Sequence, residues 1–214
     1  MTWTEPPYWW RPSRPQAAHV TRVLTVPPAV EPLTLAEVKG RAGLDWVVGD
    51  SRDPMLLDFL AAARSKVEKD SGYALLTQTW ALYFDALPGG VIPLPLRPLQ
   101  SVTSLKSTDA AGVVTTVDPA SYLVDSDGRI GLTSGAVWPS DGRSFRPFEL
   151  IVVAGWTTAE LLKKAHPLLV HAVGLLTAHY ATAGRDLATV GTIVSTTPQG
   201  YDDAMSSYLP VSLV

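Results

Sequence analysis

The sequence predicts an α+β fold: a helical core carrying an inserted antiparallel β block, with an extended arm before it and a tail after it. Three observations predict it. Apolar residues recur at helical spacing between Leu33 and Gly72, alternate with polar ones from about residue 75 to 155, and return to helical spacing after Trp156. The corresponding segments are an arm over 1–32, a first helical part over 33–74, the β insertion over 75–155, a second helical part over 156–184, and a connector, short helix and apolar tail over 185–214.

The arm holds Pro6, Pro7, Pro12, Pro15, Pro27, Pro28 and Pro32, which fix φ and remove backbone donors, so it is extended and not helical. It also carries Trp3, Tyr8, Trp9 and Trp10, large aromatics expected to dock on a surface, either a neighbouring subunit or the arm's own domain.

The first helix starts at Thr34, where "TLAE" is a capping box and Leu33 and Val38 occupy the positions of a hydrophobic staple; it ends near Gly43. In the second, Asp53 is the expected N-cap and Pro54 the first helical residue. Leu56, Phe59 or Leu60, Ala63 and Val67 recur at helical spacing, and Gly72 closes it. The strand opening near Thr77 places Gln78, Trp80, Leu82, Phe84 and Ala86 on one face, all explicable by packing.

Short strands follow, separated by turn signals at "PGG" (88–90), "DAAG" (109–112), "DSDG" (125–128) and "SDG" (140–142). Pro93 and Pro95 point to an edge strand or a strand exit, and the nearly continuous apolar run "FELIVVAG" to a central strand. "TTAE" at 157–160 is another candidate capping box. Pro167 starts or kinks a long helix ending at Gly184, and a short helix runs from Pro198 to Tyr208.

Hydrophobic residues make up 46% of the 214 and charged residues 17%, with a net charge of −3, which gives no electrostatic case for nucleic-acid binding. The absence of cysteine removes disulfides, thiolate metal sites and thiol catalysis. No run reaches the ~18 apolar residues of a membrane span, and the N-terminus has no signal-peptide core. The protein is expected to be made in the cytoplasm and kept or assembled there.

Candidate reactive groups resolve into bland alternatives. His19, His166, His171 and His179 lack the spacing of a helical zinc site. "DSDG" begins like a calcium loop but lacks its closing Glu and reads as a hairpin turn. Asp85, Asp109 and Asp118 are scattered over strands and turns, and neither a phosphate-binding loop nor a nucleophile elbow occurs. No catalytic residue, metal or cofactor is expected.

The runs "PLTLAEVKGRAGL", "DPMLLDFLAAARSKVEKDSGYALLTQTWALYFDALP", "IPLPLRPLQSVTSLKSTDAAGVVTTVDPASYLVD" and "FELIVVAGW" together resemble the head–tail connector (adaptor) proteins of tailed bacteriophages, in the branch with a β insertion between its helices. "PLLVHAVGLLTAHYATAG" stands where that family has its long C-terminal helix. The resemblance covers roughly residues 31–184.

It implies a virion neck protein that forms a ring, typically of twelve copies, under the portal protein. That ring continues the channel through which DNA passes without specific binding, and docks the tail or a neck stopper or tail-terminator protein. The family's C-terminal segment commonly reaches the portal, which here points to Tyr208, Leu209, Pro210, Val211, Leu213 and Val214. The Pro- and Trp-rich arm departs from the family pattern. The other class the residues allow is a non-catalytic binding module using the β block and aromatic arm elsewhere in a virion.

Overall fold

Thr34 and Glu37 open the first helix as their spacing predicts. Thr34 Oγ1 accepts from the Glu37 amide at 3.2 Å, and the Glu37 carboxylate accepts from the Thr34 amide at 2.8 Å. Leu33 and Val38 are both buried, completing the staple. The computed structural model describes residues 20–87, 89–140, 142–183 and 198–208. Within it α1 (Leu35–Ala42) stops at Gly43 and α2 (Asp53–Ser71) at Gly72, both in the left-handed region that glycine enters without steric cost.

Two start signals are read differently by the structure. The N-cap position of α2 is Arg52, which makes no capping bond. The Asp53 carboxylate instead accepts from the Gly49 amide (2.7 Å) and the Trp46 indole (3.0 Å) and pairs with Lys39 Nζ at 2.6 Å. Bracing the α1–α2 loop uses the oxygens that a cap would need. In α3 (Ala159–Ala165) the cap is Thr158, one residue later than the "TTAE" spacing implies, so no Glu stands at the reciprocal position. Lys163 of α3 reaches the Glu37 carboxylate at 2.6 Å, and this contact, with the capping bonds, draws the Glu37 pKa down to about 2.

Pro167 begins α4 (Pro167–Ala183), and α5 (Gln199–Ser206) packs on it. Leu56, Leu60, Val67, Leu75, Leu76, Leu169, Val173 and Leu176 form the centre of the helical core with Tyr201 and Met205 of α5. Burial of each such aliphatic side chain is worth roughly 1.5–3 kcal/mol.

The β part holds two antiparallel sheets. The larger runs β1 (Val20–Val26), β2 (Gln78–Phe84), β8 (Phe148–Ala154), β4 (Leu99–Thr108), β5 (Val114–Thr116), so the apolar "FELIVVA" strand is central as its composition predicts. The smaller runs β3 (Ile92–Pro93), β7 (Arg129–Leu132), β6 (Tyr122–Asp125), and Pro93 stands on its edge. "DSDG" is the β6–β7 turn, with Gly128 at φ +78°. The two sheets share one apolar cluster around Leu82, Phe84, Leu105, Ile130, Leu150 and Val152.

β1 precedes the helices, yet it pairs with β2, Leu24 lying opposite Trp80. The β block is therefore completed from the N-terminal side by residues that the prolines around them mark only as extended.

Candidate interaction surface

Where the helical and β parts meet, four aromatic rings come together from four separate turns of the chain. Tyr73 follows the Gly72 stop, Trp156 follows β8, His166 caps α3, and Tyr208 follows α5. Tyr73 stacks on Trp156 with centroids 5.8 Å apart and meets the edge of Tyr208 at 5.7 Å. His166 lies 4.8 Å from Trp156 and 4.9 Å from Tyr73, and its Nδ1 shares a hydrogen bond of 3.1 Å with the Tyr208 hydroxyl. The Arg97 guanidinium sits over Tyr73 at 4.7 Å. Burial holds the His166 pKa below its ordinary value and raises that of Tyr208.

Tyr208 is thus the one predicted tail residue within the described part, and it is anchored. Leu209, Pro210, Val211, Leu213 and Val214, like Trp3, Tyr8, Trp9 and Trp10 of the arm, lie outside the described residues. So do His19, Gly184 and the connector over 185–197.

A buried polar chain runs beside this cluster. Arg64 bonds Glu31 at 2.8 Å and Glu68 at 2.9 Å. Glu68 also accepts from the Leu75 amide (2.8 Å) and from Gln78 Nε2 (2.7 Å). Desolvation of Glu68 outweighs these contacts and raises its pKa. Gln78 Oε1 and Trp80 Nε1 are buried and find no partner among the described residues, and both side chains line a cavity of about 280 Å³ between β1, α2 and Leu96. Alternation along β2 marks these positions only as inward-facing. The signal available in the sequence is a glutamine on the apolar register of a strand.

Apolar side chains also stand in solvent. Val47 and Val48 of the α1–α2 loop are 78% and 63% exposed. In the β part Val137 is 82% exposed, Phe145 66% and Val113 58%. Val137 lines a hollow of about 520 Å³ with Trp138, Leu87 and Phe148.

The carboxylates singled out by sequence serve turns. Asp85 accepts from the Arg146 amide, Asp109 from Val113 and Asp118 from Ala120. Among the described residues no three His, Asp or Glu side chains converge as metal ligands, and no described helix is long and apolar enough to cross a membrane.

No protein-family model and no curated protein sequence matches this chain. Solved structures do. A chain from the neck of an empty gene transfer agent (GTA) particle computed with C6 symmetry superposes with a TM-score of 0.69 at 26% identity, over 92% of this chain and 97% of that one. A chain from the neck of the native GTA particle computed with C12 symmetry gives 0.67 at 26% identity, over the same shares of the two chains. One from the native GTA virion gives 0.67 at 28%, over 91% and 97%. The resemblance to phage neck components that the sequence carries is borne out by these likenesses, which extend it to almost the whole chain.

Proposed function

We propose that the protein is a structural component of the neck of a tailed phage or phage-like particle, a head–tail connector that closes into a ring of copies of itself beneath the portal. The observation that carries this reading is the near full-length likeness to chains from necks of C6 and C12 symmetry. A subunit of a closed ring must present two different faces that fit each other. On this reading the exposed Val47–Val48 pair of the α1–α2 loop and the hollow lined by Val137, Trp138 and Leu87 in the β part supply these faces. The ring, of twelve copies on this reading, extends the DNA channel. A subunit of charge −3 suits a conduit, because each phosphate contact would add drag. One end docks the portal through residues 208–214, and the other receives the tail or a stopper or tail-terminator protein. The role is architectural and not enzymatic, and the product belongs to the virion neck.

The test is negative-stain imaging and sedimentation of the purified protein, alone and mixed with portal protein. Rings that co-sediment with portal are expected. A subunit that stays monomeric and unbound at high concentration with portal present overturns the reading.

A further inference from the structure

The α1–α2 loop is braced from beneath while its tip is apolar. The buried Lys39 Nζ donates to the Val47 carbonyl at 2.8 Å and pairs with the Asp53 carboxylate. That carboxylate also takes the Gly49 amide and the Trp46 indole, and the Arg52 guanidinium lies 3.9 Å over the Trp46 ring. An ion pair and three hydrogen bonds thus fix the backbone on both sides of Val48, while the Val47 and Val48 side chains stand exposed. A lone exposed valine needs no explanation. An adjacent pair on a loop ordered by buried charges is a pre-formed knob, which loses little conformational freedom on docking.

The β part offers a socket. Val137, Trp138, Leu87 and Pro139 line the hollow of about 520 Å³, larger than the two small valine side chains require. The Trp138 indole N–H is already bonded to the Gly90 carbonyl, and the acid in the wall, Asp85, accepts from the Arg146 amide at 3.0 Å. Both polar groups have a partner before any guest arrives.

Charge selects the occupant. Asp45 is exposed two residues before Val47, and Arg143 is exposed among the residues lining the hollow. Neither forms an ion pair among the described residues, the Arg143 guanidinium bonding only the Arg146 carbonyl there. Every copy carries both the acidic knob and the basic socket, so each copy complements the next. Two different faces in mutual contact make the head-to-tail interface that closed rings use. We propose that Val47 and Val48 of one copy seat in the hollow at Val137 and Trp138 of the next, with Asp45 facing the neighbour's Arg143. This rests on the ring reading above and names its contact.

The chain has no cysteine, so introduced thiols report cleanly. Full chains carrying Val48→Cys and Val137→Cys are mixed in equal amounts, with and without portal protein, and oxidised. A disulfide needs Cα atoms within about 7 Å. The linked dimer is expected about tenfold faster or more than from Val48→Cys mixed with Val30→Cys, since docking raises the effective thiol concentration only at the socket. Val30 is as exposed as Val48 but does not line the hollow. Asp45→Arg and Arg143→Asp should each weaken self-association by about tenfold, and the chain carrying both should regain it. Rings that form without preference for the Val48–Val137 pair overturn this contact and leave the ring reading standing. A disulfide closing within one chain of the Val48→Cys, Val137→Cys double variant at high dilution also overturns it. So does portal protein that shields the thiol of Val137→Cys from maleimide in a chain whose knob is disabled by Val47→Asp and Val48→Asp, because portal is then the occupant. A protein that neither self-associates nor joins portal overturns the ring reading and this inference together.

Discussion

The Tyr208 hydroxyl lies 3.1 Å from Nδ1 of His166, a residue 42 positions earlier in the chain. The contact fixes the end of α5 against the turn between α3 and α4, and so sets the point from which residues 209–214 depart. Half-buried rings from four turns meet there, and the hydrogen bond orients the last of them.

Tyr208 therefore belongs to the fold. Tyr208→Ala should cost about 2 kcal/mol through lost ring packing, or roughly 4–8 °C in Tm for a chain of this size. A chain ending at Tyr208 should keep a single cooperative transition and lose less than the alanine variant, yet fail to join portal-containing capsids. Thermal unfolding by circular dichroism ranks the two, and a truncation that melts below Tyr208→Ala would place residues 209–214 in the core.

The same pair gives a pH signature. Burial depresses the His166 pKa in the folded state, so above about 6.5 the ring is neutral in both folded and unfolded chains and exacts nothing. As pH falls below that value the unfolded chain takes up the proton first, and stability declines until the folded pKa is passed, at no more than about 1.4 kcal/mol per pH unit. His166→Gln should flatten this part of the stability–pH curve. Tyr208→Phe should lower the curve without flattening it, because burial and not the phenol causes the shift. Urea titrations at half-unit pH intervals measure both.

Much of this fold is legible in the sequence because local chemistry and tertiary packing agree. The Thr34–Glu37 box, the glycine stops at 43 and 72, the central strand at 148–154 and the Asp125–Gly128 turn each rest on residues a few positions apart. Where the sequence misleads, a distant partner has intervened. Asp53 is a good helix cap by type, but Lys39 and Trp46 claim its oxygens. Residues 20–26, "VTRVLTV", are rich in β-branched side chains suited to a strand, but the prolines around them draw the reading to an extended arm, and only the edge of β2 shows what they pair with. The aromatic cluster is illegible for the same reason, since Tyr73, Trp156, His166 and Tyr208 meet only where four separate turns converge.

Arg64 should be among the costliest charged residues to remove. Its guanidinium serves Glu31 and Glu68 at once while only 9% of its side chain is exposed. Arg64→Met leaves Glu68 buried without a counter-charge, a loss of about 3–5 kcal/mol at neutral pH. The Glu68 pKa, already raised by desolvation, rises further in the variant. Between the unfolded carboxylate's value near 4.5 and that raised one, the folded state holds a proton the unfolded state lacks, so stability falls as pH rises. The variant should consequently recover part of its loss at pH 5 relative to pH 7.5. Equal destabilisation at the two pH values would show that lost packing, and not the stranded carboxylate, sets the cost.

Gly155 ties the two parts together through its backbone, and no other residue fits there. Its φ is +107°, and a Cβ would stand 2.1 Å from the Leu76 carbonyl oxygen, too close for any side chain. The approach is needed because Gly155 donates to the Pro98 carbonyl at 2.9 Å, accepts from Gln100 Nε2 at 2.6 Å, and brings Trp156 within reach of the Thr77 amide at 3.0 Å. Gly155→Ala must break these contacts or force the β8 exit away from Leu76, at a cost of about 3 kcal/mol or more. Gly135 is the control, with φ +81° but open space where its Cβ would go. Gly135→Ala meets only the backbone preference and should cost about 1 kcal/mol. Because Gly155 lies beside Trp156 and the aromatic cluster, its loss should also move the near-ultraviolet circular dichroism signal, which Gly135→Ala should leave unchanged. If the two variants melt together, the seam between the helical and β parts is looser than this packing requires.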